Sequence, residues 1–138
     1  MRDLTVAVTV DDKLGVAFNN RRQSRDRMLI ENLLASTDKD IYVSSYSAPL
    51  FDERVDRIKI VSDPIKDCPD GGFCFIELSP IKESIDDISA LIVYRWNKVY
   101  PSDKKLGVDL SCLNLTLSET VDFVGKSHDK ITKEIYVK

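Results

Sequence analysis

The 138-residue sequence holds a single histidine, His128, and no apolar run long enough to span a bilayer. A metal centre built from several histidines is excluded, and so is a chain organised around membrane-spanning helices. Only three cysteines occur, Cys68, Cys74 and Cys112, an odd number without close spacing. That argues against a disulfide framework and for reduced thiols, with Cys74 and Cys112 read as small core residues. There are just five glycines and five prolines, and no glycine-rich phosphate loop, paired-thiolate motif, repeat or low-complexity linker. An excess of positive charge is missing too: the net charge is −3. Nucleic acid is therefore not the expected partner, and a local basic patch suits a small anion better than a polyanion. Met1-Arg2-Asp3-Leu4 lacks the apolar core of a signal peptide, so the expected location is cytoplasmic.

What is present is an ordinary globular balance of 43% hydrophobic and 31% charged residues, enough for one domain over 1–138 with a sizeable core. Strands are expected at 4–10 (LTVAVTV), 40–44, 57–61, 73–77 and 90–96, with half-exposed alternating strands at 114–120 and 130–137. Gly15 is expected to supply positive φ in the turn after the first strand. A helix is expected to about Ser36, N-capped by Ser24 with Asp26 in its first turn. A helical turn or a loop is expected at 46–51 and a short helix at 80–87, with 63–72 a loop. This order predicts an α/β fold with a mixed, mostly parallel sheet, antiparallel C-terminal strands and few helices.

The richest local feature is the nine-residue polar run Asn19-Asn20-Arg21-Arg22-Gln23-Ser24-Arg25-Asp26-Arg27. Its four arginines repel one another unless something anionic sits among them, and Arg22 and Arg25 with the helix amides are the expected convergent donors. The plainer reading is a solvated face paired to Glu31, Asp11 and Asp12. At about 100° per residue Asp26, Ile30 and Leu33 share one helix face within about 60°. Asp26 is thus expected at the edge of the core with a raised pKa, able to relay a proton or hold an amidine-like edge. The plainer role is a first-turn Asp paired to Arg22 or Arg25. Tyr94 and Trp96 share a strand face and are candidates for stacking on a flat ring, or are simply core aromatics. Ser127, His128, Asp129 and Lys130 can be read as acid–base residues, but they sit on a loop at an expected strand start, where a lone surface histidine beside an aspartate is the plainer reading. The expected site is a pocket that Asp26 faces, lined near Val6, Val8 and Tyr94, with Arg22 and Arg25 at its mouth; Arg21, Gln23 and Trp96 are further candidates for holding the ligand.

The stretches LTVAVTVDDKLG, Asp26 with Met28-Leu29-Ile30, IYVSS followed by YSAPLF, ALIVYRWNKVYPSDKKLGVDL and DFVGKSHDKITKEIYVK resemble the dihydrofolate reductase fold across nearly the whole chain. The resemblance implies that Asp26 stands where that family's catalytic carboxylate holds the pterin. It implies an NADPH cofactor as well, but the departures lie in its cradle. Ile76-Glu77-Leu78-Ser79 replaces the glycine pair, Ser44-Ser45-Tyr46 replaces a basic residue, and the segment between RIKIV and FCFIE is short. The strings NRRQSRD, YRWNKVYP and SHDKITKE also resemble small bacterial proteins that carry the name ribonuclease Z. One histidine cannot build the two-metal site that activity needs. The function expected is a non-catalytic binder of a small anionic or heterocyclic ligand on a reductase-like frame, without a metal. The alternatives are an NADPH-dependent reductase of a pterin-like ring, an RNA-interacting protein, and a protein-partner or homo-oligomer module.

Overall fold

The computed structural model describes residues 2–51, 56–112 and 114–138. In chain order the strands are β1 (Leu4–Val10), β2 (Gly15–Phe18) and β3 (Arg21–Arg22), then helix α1 (Arg27–Ala35). They are followed by β4 (Ile41–Val43), β5 (Ile58–Ile60), β6 (Phe73–Ile76), β7 (Ile88–Arg95), β8 (Lys104–Lys105), β9 (Thr116–Phe123) and β10 (Ile131–Val137). Seven strands form one sheet in the order β5-β4-β6-β1-β7-β10-β9, and β3-β2-β8 form a small second sheet. The first five strands of the large sheet run parallel, and β10 and β9 add to it antiparallel.

Strand β1 is central because its β-branched run can be buried on both faces. Val6, Val8 and Val10 pack with Leu91, Val93 and Leu106 on one side. Ala7 turns the other way, to Leu29 and Leu33 of α1 and to Phe75 and Tyr94. Period two on the strand and the apolar stripe on the helix thus build a core on each side of the sheet.

The observed ends refine the sequence reading. Residues 48–50 form one 3-10 turn, and the expected short helix is a 3-10 stretch, Lys82–Asp87. Asp26, not Ser24, is the N-cap of α1: its backbone is extended and its carboxylate accepts the Met28 N–H. Positive φ in the first turn falls on Leu14, at 59°, not on Gly15. Glycine is needed at 15 for space instead, since a Cβ there would lie 2.7 Å from the Ser102 side chain.

Candidate functional site

The polar run is a β-hairpin that leads into the helix cap. Phe18 pairs with Arg21 across Asn19 and Asn20, which both take left-handed backbone at φ 51° and 59°. That is the two-residue turn whose twist matches its strands, and asparagine tolerates it better than most residues. The hairpin sends Arg22 inward. Its guanidinium grips Glu77 through Nε and a terminal nitrogen at 2.8 and 3.1 Å and lies over the Tyr46 ring, 4.3 Å from its centre. Glu77 is 5% exposed and also accepts the Ser47 hydroxyl at 2.7 Å.

Two residues beyond Ser24 the chain reaches Asp26, 4% exposed. Oδ1 accepts the N–H groups of Met28 at 2.9 Å and Lys126 at 2.8 Å. Oδ2 accepts the Ser127 N–H at 2.9 Å, its hydroxyl at 3.2 Å and His128 Nδ1 at 2.8 Å. Burial alone pushes the carboxyl pKa up, but the donors from Lys126, His128, Ser127 and Met28 overcome it and hold the pKa far below the ordinary carboxylate range. The expected raised pKa is therefore reversed, because the carboxylate is buried among donors and not against apolar walls alone. Gly125 makes the approach feasible: a Cβ there would come within 2.6 Å of Asp26 Oδ2. The expected pairing of Asp26 with Arg22 or Arg25 is replaced by pairing with His128.

His128 is not a surface residue; it is 5% exposed. Its ring stacks on Trp96 with centroids 4.7 Å apart. Nδ1 faces the ionised Asp26, so it carries the hydrogen in the neutral ring and leaves Nε2 as an acceptor. The Ser24 hydroxyl reaches Nε2 at 3.0 Å and the Tyr100 hydroxyl at 3.1 Å. Asp11 anchors the far side of this cluster. It is fully buried, accepts the N–H groups of Gly15 and Tyr100 at 2.8 and 3.1 Å, and takes a bond from Gln23 Nε2 at 3.3 Å. It is thereby occupied in ordering the turn and is not an arginine partner.

Three depressions surround these residues. A groove of about 750 Å³ is lined by segments that follow the carboxyl ends of three parallel strands: Ser44 and Tyr46 after β4, Ser62 and Asp63 after β5, Glu77 and Ser79 after β6. A second cavity, about 490 Å³, lies between α1 and the Pro49–Leu50 turn, with Asp26, Arg25, Arg27 and Lys126 around Ile30 and Leu34. A third, about 610 Å³, is bounded by Arg21, Arg22, Gln23 and Tyr100.

The structure therefore divides the residues that the sequence groups together. Asp26 and Arg25 share the second cavity, while Arg21, Arg22 and Gln23 line the one beside Tyr100. Tyr94 is fully buried, with its hydroxyl on Asn32 Oδ1 at 2.7 Å, and burial pushes that phenol's pKa well up. Trp96 is 2% exposed. Neither presents a free ring face, since both are buried in the core and Trp96 stacks on His128. Val6 and Val8 are likewise core, so the expected pocket walls are replaced by Ile30, Leu34, Pro49 and Leu50. Ser24, expected only as a helix cap, and Tyr100 both reach His128 beside Asp26, although the expected site leaves all three out. The only signal for His128 is its being the sole histidine, next to a hydroxyl, and the only signal for Glu77 is a charge in place of a glycine.

Among the described residues no group of three or more His, Cys, Asp or Glu side chains could hold a metal ion, and no helix is long and apolar enough to cross a membrane. No protein-family model matches the chain, and no match is found among curated proteins. Among solved structures the chain is similar to dihydrofolate reductase from Enterococcus faecalis, complexed with NADP(H) and RAB-propyl, at a TM-score of 0.66. That similarity covers 98% of this chain and 95% of the other, at 12% sequence identity. The chain has a dihydrofolate reductase-like fold: a mixed, mostly parallel α/β sheet closed by antiparallel C-terminal strands.

Proposed function

We propose that the protein binds a small anionic ligand with a flat or apolar body in the cavity between α1 and the Pro49–Leu50 turn, without nicotinamide redox chemistry. The observation that carries this reading is the convergence of Arg25, Arg27 and Lys126 on one cavity of about 490 Å³ whose walls are Ile30, Leu34 and Leu50. Apolar walls with a few convergent charged groups are the usual make-up of a small-molecule site. Arg27 has a partner in Glu31 at 3.5 Å, but both side chains are more than half exposed, so the pair is weak and easily exchanged for a ligand anion. Asp26 lines the cavity with its oxygens already engaged, so its part is to hold the 126–127 backbone in place.

A reductase reading retains one specific support, the large groove at the carboxyl ends of β4, β5 and β6, the usual ligand edge of an open α/β sheet. The solved structure of similar fold is a complex with NADP(H). Against it stands Glu77, a carboxylate at the groove where a phosphate would need amide donors and no negative charge.

A thermal-shift series with NADPH, folates, and mono- and dinucleotides tests the two readings. We expect stabilisation by a compact anionic heterocycle, amounting to about 2.7 kcal/mol at a hundredfold excess over Kd. Arg25→Ala with Lys126→Ala should remove it and Glu77→Gln should leave it intact. A shift with NADPH that survives the Arg25/Lys126 replacement, accompanied by hydride transfer, would move the function to the groove. No shift with any of these probes would defeat the anion-site reading.

A further inference from the structure

The Nε2 side of His128 carries an arrangement that the anion cavity does not use. A buried carboxylate holds a buried imidazole at 2.8 Å, and the opposite ring nitrogen is 3.0 Å from a serine hydroxyl. We propose that Ser24 is a nucleophile, activated by His128 and oriented through Asp26, that cleaves carboxylic esters bearing a nearby anionic group.

Four features of the geometry carry the assignment. The order of roles is complete: a nucleophile within hydrogen-bond reach of a base, and the base within reach of a group that fixes it. The ring cannot swing away, because Trp96 stacks against it and Asp26 is itself locked by three backbone N–H groups. Ser24 is only half-buried, in contrast to its two partners. Ser24 does not itself line the 610 Å³ cavity, but its chain neighbour Gln23 and its neighbour on Nε2, Tyr100, both do, so a substrate held there lies next to the residues that flank Ser24. Arg21 lines the same cavity and is exposed, making it the anchor for a substrate carboxylate or phosphate.

In the reaction Ser24 Oγ attacks the acyl carbon and its proton passes to His128 Nε2. Asp26 remains ionised and holds the imidazolium through Nδ1–H. The tetrahedral adduct collapses, the bond to the leaving alcohol breaks, and the alcohol departs with the proton from Nε2. Water then attacks the acyl-serine with His128 again as base, releasing the carboxylic acid and returning the proton to Ser24. The Tyr100 hydroxyl lies 3.1 Å from Nε2 and yields that lone pair to the attacking water during deacylation, so Tyr100 is a positioning residue.

The test uses the full-length protein, a fluorophosphonate probe and intact-mass analysis. We expect one adduct, mapped to Ser24, absent from Ser24→Ala, together with hydrolysis of an anionic aryl ester that falls at least a hundredfold in Ser24→Ala. Because replacing His128 can unfold the loop, base activation is read from Ser24→Cys. The thiol introduced there should react with iodoacetamide at neutral pH at least tenfold faster than the thiol introduced by Ser118→Cys, at an exposed position of β9 away from Asp26 and His128. A folded wild-type protein that gains no adduct, or gains it on Tyr100 or another residue, overturns the proposal. So does a Ser24→Cys thiol no faster than the control. The proposal stands or falls apart from the anion cavity, since neither readout involves Arg25 or Lys126.

Discussion

At the scale of single residues, Asp26 joins two chain segments a hundred positions apart, the start of α1 and the loop before β10. Asp26→Asn keeps a competent helix cap. It replaces a charged acceptor by a neutral amide whose NH₂ faces donors, so the bonds to Lys126, Ser127 and His128 weaken together. Removing one partner of such a buried charged cluster costs about 3 kcal/mol. In a chain of this size that is a fall of roughly 10 °C in Tm, readable by calorimetry. The pH dependence carries the same signature. The folded pKa of Asp26 lies below the unfolded value, so between the two the unfolded state binds more protons. The stability it contributes is fully present above the unfolded carboxylate pKa of about 3.9 and is lost as pH falls toward the folded value. Asp11, also lowered despite its burial through bonds from Gly15, Tyr100 and Lys13, adds to the same loss. Urea midpoints measured from pH 5 down to pH 2.5 should therefore fall less steeply in Asp26→Asn than in the wild type. The burial of Asp26 at the edge of the core matches the expectation, but not through helical spacing, since Asp26 is the extended N-cap of α1 and not a residue of its first turn. Its saturation by donors was not legible, because those donors come from a loop whose closure on the cap depends on Gly125, a contact no local pattern announces. For the same reason a lone histidine in a charged stretch reads as solvated although it is buried.

Among the elements, those with strong periodicity were legible: β1 matches its expected span, and α1, β7 and β10 lie within two residues of theirs at every end. The polar run was not: Arg21 and Arg22 lack an apolar alternation that would mark a strand, and β2 is flanked by β8, a pairing from far along the chain. Asn20→Ala places a Cβ-bearing residue without a compensating side-chain bond at φ 59° and should cost about 1 kcal/mol, while Asn20→Gly should be near neutral, both by urea denaturation. The hairpin is also tied to the large sheet through Arg22 and Glu77, which joins β3 to the end of β6. Arg22→Ala leaves that carboxylate buried with Ser47 as its remaining side-chain partner and should destabilise by about 3 kcal/mol. The paired change Arg22→Met with Glu77→Leu should recover most of the loss, since two desolvated charges are replaced by apolar contact. A double-mutant cycle checks this, and full additivity would show that the pair contributes nothing specific.

For the whole molecule the seven-stranded sheet ends in two open edges, β5 and β9. Strand β5 is only three residues long and carries Lys59, which blunts it against pairing. Strand β9 is eight residues long and exposed along almost its entire length, with Leu117 and Val121 at 47% and 39% exposure. Its protection is of two kinds. A bulge leaves Ser118 without a partner between the pairs Glu119–Ile135 and Leu117–Tyr136, so Leu117 and Val121 fall on opposite faces. Glu119 and Asp122 add negative charge along the edge, which penalises pairing with a second β9 by like-charge repulsion. Glu119→Val removes one charge and lets an apolar side chain continue Val121 beside Ile135, with little change inside the folded chain. The native Tm should move by less than about 2 °C, as for an exposed substitution away from special features. Self-association should rise instead, seen as a concentration-dependent increase in light scattering at temperatures well below unfolding. If scattering stays at the wild-type level, the bulge alone is enough to keep the edge closed to other chains, and the charge at 119 serves only to solvate it.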